Sequence, residues 1–270
     1  MSVAAGSVLT LGDLTFDLRG VSMGEKTLIV VKDGGKLVNW DADNVHFVYS
    51  GVKVNSAAVV ISPGTGIIKL SDDHDGHLYW NGADDKMWNI SSENWSSTEG
   101  GTESEVFTAL SNVHFGEGGA EDREISVTQD MVVAKLDVSA GDYSFSGARV
   151  AVLGDATLKP GAGAVTFNDQ LVVQGNLTTE GDGSVSLRGV TPVVGNATFS
   201  SLTTTIAEDM TVDGKLTVTS ENLSISGNVT AEEMAFVVNS DAALAQWCNP
   251  PNHWKAQANE AVSCIYPRTR

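Results

Sequence analysis

Short runs in which apolar and polar residues alternate fill most of this 270-residue chain, the period of a strand with one buried face. Val8, Leu9, Leu11, Leu14, Phe16 and Leu18 begin the pattern, and Thr27 to Val31 adds a short apolar strand. Asp33-Gly34-Gly35 reads as a turn, followed by Val45-His46-Phe47-Val48-Tyr49, Ala57 to Ile61, the turn Pro63-Gly64, and Gly66 to Leu70. Strands at this spacing predict a small antiparallel β-sandwich over residues 1–71. No amphipathic helical stretch precedes Ala242.

A second rhythm takes over from Glu124. Gly154-Asp155-Ala156-Thr157, Gly175-Asn176-Leu177-Thr178, Gly195-Asn196-Ala197-Thr198 and Gly214-Lys215-Leu216-Thr217 spell nearly one motif, in steps of 21, 20 and 19 residues. Strand-like runs starting at Ala164, Ser184, Thr203 and Leu223 keep the same step. Two features sharing a period of about 20 residues predict a solenoid, each coil burying its apolar side only by stacking on the next. Two or three short strands per coil match one rung of a parallel β-helix. Glycine at the corner is expected to supply positive φ, and the following Asn or Asp to bond its own backbone or stack into a ladder. A fifth copy, Gly227-Asn228-Val229-Thr230, arrives 13 residues after the fourth and reads as the place where the period fails.

The chain therefore divides into a sandwich over 1–71, a Trp-rich connector over 72–123 leading into the helix, repeats over 124–241 and an atypical tail over 242–270. The tail loses the alternation and holds both cysteines, Cys248 and Cys264, with a basic end, Arg268-Thr269-Arg270. It reads either as a solenoid cap or, preferably, as sequence out of frame. The two thiols are open to pairing or to remaining free, and with only His253 between them they make a poor zinc site.

Charge narrows the partners. With 34 acidic and 16 basic residues the net charge is −18, a field that repels nucleic acid and anionic membrane surfaces. No apolar run approaches the ~18 residues of a membrane helix, so no membrane insertion is expected. Met1 to Gly6 has the form of no signal peptide.

Candidate chemistry is sparse. Asp72-Asp73-His74-Asp75-Gly76 spaces carboxylates as a hard cation would use them, but it lacks a distal bidentate Glu and reads as a solvated turn; no metal or cofactor is expected. Trp80, Trp88 and Trp95 fall within 16 positions and are the candidate ligand contacts, with packing of the helix end as the competing role. Histidine is absent between positions 115 and 252, and the basic residues of the repeat fall at unmatched rung positions, so no catalytic residues are expected. The Asn-x-Ser/Thr sequons follow automatically from the repeat motif.

The order Tyr79-Trp80-Asn81-Gly82, Trp88, Asn94-Trp95, Val113-His114-Phe115-Gly116 and Asp142-Tyr143-Ser144-Phe145-Ser146-Gly147 resembles autotransporter-like passenger proteins with autotransporter-associated β-strand repeats. The resemblance covers about Leu78 to Val238. It implies a right-handed parallel β-helix, a cell-surface, outer-membrane or secreted location, and a structural or adhesive role towards host or cell-surface glycans or proteins. The sequence expectation is thus an all-β, non-enzymatic passenger-type fragment, with a carbohydrate-binding or polysaccharide-degrading β-helix as the alternative.

Overall fold

A computed structural model describes residues 1–118, 123–237 and 262–265. The expected all-β architecture is present: the described residues contain no α-helix, and their one helical turn is the 3-10 segment Ser56–Ala58. From His77 onward the strands stack in parallel, coil on coil, into three faces of a β-solenoid, except that Trp95–Ser96 pairs antiparallel with Tyr79 and Trp80.

The first face carries His77–Trp80, Asn112–Phe115, Lys135–Val138 and Ala156–Leu158. It continues through the starts of Leu177–Leu187 and Ala197–Ile206, the ends of Met210–Val218 and Val229–Val237, and finally the backbone of Val262–Ile265. The second face runs from Met87–Trp88 through Glu124–Val127, Tyr143–Gly147 and Ala164–Phe167 to Asn222–Ile225. The third stacks Met131–Val133, Val150–Val152, Leu171–Val173 and Thr191–Val193 on the starts of Met210–Val218 and Val229–Val237, about six coils in all.

Strict register turns alternation into columns. Leu78, Val113, Leu136, Ala156, Leu177, Ala197, Leu216 and Met234 lie one above another and are all buried. Ile125, Phe145, Phe167, Leu187 and Ile206 form the matching column of the second face, and Val133, Val152, Val173, Val193 and Val212 that of the third. A one-residue slip would expose every one of these side chains. The runs read from sequence at 164, 184 and 203 pair in this register. Buried hydroxyls are partnered: Ser201 donates to Thr179 Oγ1 at 2.7 Å, and Thr204 and Ser220 share a bond of 2.8 Å.

The corners correct one expectation. Gly154, Gly175, Gly195 and Gly214 are not in the positive-φ region. They are needed for space: a Cβ on Gly175 would stand 2.4 Å from the Gly154 carbonyl, and one on Gly195 2.4 Å from Gly175 O. Asp155, Asn176 and Asn196 each accept the backbone N–H one coil on, from Asn176 at 2.7 Å, Asn196 at 3.0 Å and Lys215 at 2.8 Å. The ladder therefore runs between coils rather than back onto each residue's own backbone.

The early fifth motif belongs to a different corner. A Cβ on Gly227 would strike the Glu208 carbonyl, and Asn228 donates to Asp209 from both N–H and Nδ2 at 2.9 Å. Met234 is the residue that stacks on Leu216. The period does not fail at Gly227; a second corner borrows the same chemistry.

Residues 2–70 form the small sheet region that precedes the solenoid, and its pairings are of both kinds. Gly24–Thr27, Ile67–Leu70 and Val59–Ser62 are antiparallel. Ser2–Val3 with Val30–Val31, Val8–Thr10 with Lys36–Val38, and Leu14–Asp17 with Val45–Tyr49 are parallel, so two wider coils already stack here. Val54 bridges Ala109 in parallel, Asn55 N–H donates to Ala109 O at 2.8 Å, and Asn55 Nδ2 donates to Ser111 at 2.9 Å. One apolar core runs unbroken from Val3 to Phe236, across the sequence boundary at 71/72.

Most of the tail from Ala242, with Cys248 and the question of a cysteine pair, lies outside the described residues.

Candidate functional site

The three tryptophans proposed as ligand contacts are core residues. Trp80 is 3 % exposed, and Trp88 and Trp95 are fully buried. Trp88 packs against Trp95 at 5.5 Å, Phe107 at 5.7 Å and Phe115 at 5.3 Å, while Trp80 meets Trp95 edge-on at 5.1 Å. A sugar stacks on an open ring face, and these rings have none to offer. Their indole N–H groups have no nitrogen or oxygen partner, which costs about 1–3 kcal/mol each and is offset by the burial of large rings.

The connector turns of this segment are tied down by one buried amide. Asn94, fully buried, accepts from the Asp84 and Asp85 N–H groups at 2.9 Å and donates to Asp85 at 2.6 Å. Burial alone would raise the Asp85 carboxyl; the Met87 N–H and the Asn94 and Ser92 side chains outweigh it and hold the acid below the usual carboxylate range.

Polar chemistry gathers elsewhere, on the outside of the first face. There the turn Asp72 to Gly76 lies against the first coils and leaves an open groove of about 450 Å³. Its walls include Asp72, Asp73, His74, Asp75, His77, Asn112, His114, Lys135, Asp137, Asp155 and Lys159. A smaller depression of about 230 Å³, with Tyr79 and Glu99 on its rim, shares His114 and Asp137 with it.

Register places the groove's side chains. His77, Asn112 and Lys135 follow one another on successive coils, and beside them run Tyr79, His114, Asp137 and Thr157. His77 Nδ1 and His114 Nε2 are 2.9 Å apart, and His114 Nδ1 is 3.5 Å from Asp137 Oδ2. With the His114 Nδ1–H turned to Asp137, its Nε2 accepts from His77 Nδ1–H, and the His77 Nε2 lone pair is left over. Tyr79 stacks on His114 at 4.6 Å. Burial raises the Tyr79 hydroxyl, with Glu99 and Asp137 adding to the shift.

His74 is clamped as a neutral ring. Its Nδ1 accepts the Gly76 N–H at 2.9 Å, so Nε2 carries the proton and donates to Leu110 O at 3.1 Å. Burial first, and then the neighbouring His77, hold its pKa below 6.5. His77 is lowered too, by burial and then by His114. The His74 ring cannot gain a second proton without losing the Gly76 N–H that its Nδ1 accepts.

One acceptor in the groove has no partner. Asn112 is 4 % exposed, its Nδ2 donates to His74 O at 2.9 Å, and its Oδ1 is buried and unsatisfied. Lys135 is directed to Asp72, 3.7 Å away, and Lys159 to Glu180. The carboxylates of Asp73, Asp75 and Asp137 have no lysine or arginine within ion-pair distance among the described residues, so the groove is electronegative.

The segment Asp72 to Gly76, which reads from the sequence as a solvated turn, forms one wall of this groove. The sequence does not show that His77, His114 and Asp137 meet, because they stand 37 and 23 positions apart and only the coil register joins them. The available signal was their shared outward parity on three first-face strands.

The chain matches no family model, no curated protein and no solved structure. Its class, a β-solenoid with a small sheet region before it, therefore stands on its own strands.

Proposed function

We propose that this chain is a non-enzymatic, passenger-type protein of the cell surface or extracellular space, whose solenoid supplies length and whose outer faces supply structural or adhesive contacts. The observation that supports it most is how the outer positions of the repeat are used. Thr157, Thr178, Thr198 and Thr217 line one outer stripe, and the corner polar groups are committed to the next coil. Such a surface is repetitive and hydrogen-bonded to itself, suited to extension rather than turnover. No hydroxyl or thiol of the described residues is hydrogen-bonded to His77 or His114, so the imidazole pair is not set against a side-chain nucleophile. The resemblance to autotransporter-like passengers over about Leu78 to Val238 points to the same role. Among the described residues no helix is long and apolar enough to cross a membrane.

The test is protease shaving of intact native cells, followed by detection of peptides from residues 124–237, together with incubation of the purified chain with a polysaccharide panel. Release of these peptides from unbroken cells or their presence in the medium, with no polysaccharide cleavage, is the expected result. Peptides found only after lysis, or any cleavage abolished by His77→Gln, would overturn the reading.

A further inference from the structure

We propose that the groove over the first coils is a binding site for a primary ammonium group, such as a lysine side chain of a partner protein presents, with the Asn112 amide oxygen as the acceptor at its floor and the surrounding carboxylates supplying the charge. The site would give the adhesive reading its chemistry, yet it can exist in a chain that adheres to nothing.

Two independent observations meet here. The first is the unpartnered Asn112 Oδ1. Because Nδ2 is committed to the His74 carbonyl, the amide cannot be turned round, and what remains is an acceptor in search of a donor. Its neighbour in register, Lys135, is directed away to Asp72 and does not supply that donor. The second is the charge around it: Asp73, Asp75 and Asp137 face the same groove without a lysine or arginine partner. Anions are repelled, and a metal ion is not favoured by the spacing of the ligating atoms.

An ammonium fits both observations, since it carries three donors and one positive charge on a compact head. Asn112 Oδ1 is closed over at rest, and the side chains that flank it in register, His77 and Lys135, are only partly buried and must part to admit the ammonium. When His77 donates its Nδ1–H to His114, its Nε2 lone pair offers a further acceptor on the same wall. The net charge of −18 steers cations to the surface as a whole, and the groove selects the one that can also donate.

The experiment titrates isotope-labelled full-length protein with Nα-acetyl-lysine methylamide and, separately, with its neutral Nε-acetylated form, following side-chain amide and imidazole NMR signals. Saturable shifts of the Asn112 side-chain amide and the His77 ring, with the charged probe only, are expected. Asp75→Asn, an exposed change that leaves the core intact, should weaken binding about fivefold, the effect of one charge near 4 Å in water. Equal binding of the neutral probe would overturn the proposal. So would shifts that spread over the acidic surface without saturating, or an Asn112 amide that stays still because only water occupies its acceptor. Adhesion that fails while the charged probe binds would count against the adhesive reading alone.

Discussion

The first coils, from His77 to Phe115, and the regular coils, from Val150 to Val218, share one set of three faces but are held together differently. In the regular coils one corner repeats from coil to coil a glycine that lets backbones touch and an Asp or Asn that ties one coil to the next. Each coil is nearly interchangeable with its neighbour, as quasi-one-dimensional proteins require. In the first coils the period is broken by long excursions, and large rings fill the volume: Trp80, Trp88, Trp95, Phe107 and Phe115. Polar side chains there face outward into a groove, with an imidazole pair and an unsatisfied amide. Regular coils spend their polar groups on each other, and the irregular ones leave some over. Unused polar capacity marks the part of the molecule suited to a ligand.

That contrast can be broken at its largest point by Trp88→Ala. Removing a fully buried indole in contact with four other rings should cost about 3–5 kcal/mol, read as a fall in the denaturant midpoint. Thr198→Ala, on the outer stripe of a regular coil, should stay within about 0.5 kcal/mol by the same measurement. In the regular coils the sensitive position is the corner glycine. Gly195→Ala should cost about 1–3 kcal/mol, because its Cβ meets the backbone below, whereas Gly12→Ala meets nothing within 4 Å and should be near neutral. A smaller loss, about 0.5–1.5 kcal/mol, is expected for Asn196→Ala, which removes the acceptor of the Lys215 N–H.

The mildest way to separate the two regions is acid. His74 and His77 have folded-state pKa values below the unfolded 6.5, so the unfolded chain binds more protons in that range. The stability they contribute is complete above pH 6.5 and is lost progressively as the pH falls below it. Hydrogen exchange should accelerate first at the Gly76 N–H, whose bond to His74 Nδ1 breaks on protonation, while amides of 171–218 keep their protection. His74→Gln should flatten the pH dependence.

Legibility in the sequence follows the same division. Where a coil repeats, spacing alone revealed the strands, because Gly-Asn corners and Val- and Leu-rich runs recur at one period. The reason for the glycines was misread, since a sequence shows that Cβ is missing but not whether φ or a neighbouring backbone requires it. Gly227 looked like a fifth copy because two corners meet the same steric problem and solve it with the same residues. The parallel pairing of Val8–Thr10 with Lys36–Val38 was hidden, since two wider coils without a shared motif give no period to read. The groove was hidden for a related reason: His77, His114 and Asp137 become neighbours only once the excursions between their strands are looped out.

The central claim is that the strands from Asn112–Phe115 to Val229–Val237 climb as consecutive coils in the stated register. Pairs of spin labels on the outer stripe test it most directly, at Asp137 with Thr178, Thr198 and Thr217 in turn, with Cys248 and Cys264 replaced by serine. Neighbouring coils lie about 4.8 Å apart, so the separation should grow by that step per coil, to about 19 Å for the Asp137–Thr217 pair. Distances that fail to rise in sequence, or that place Thr217 nearer to Asp137 than Thr178, would contradict the stacked-coil account.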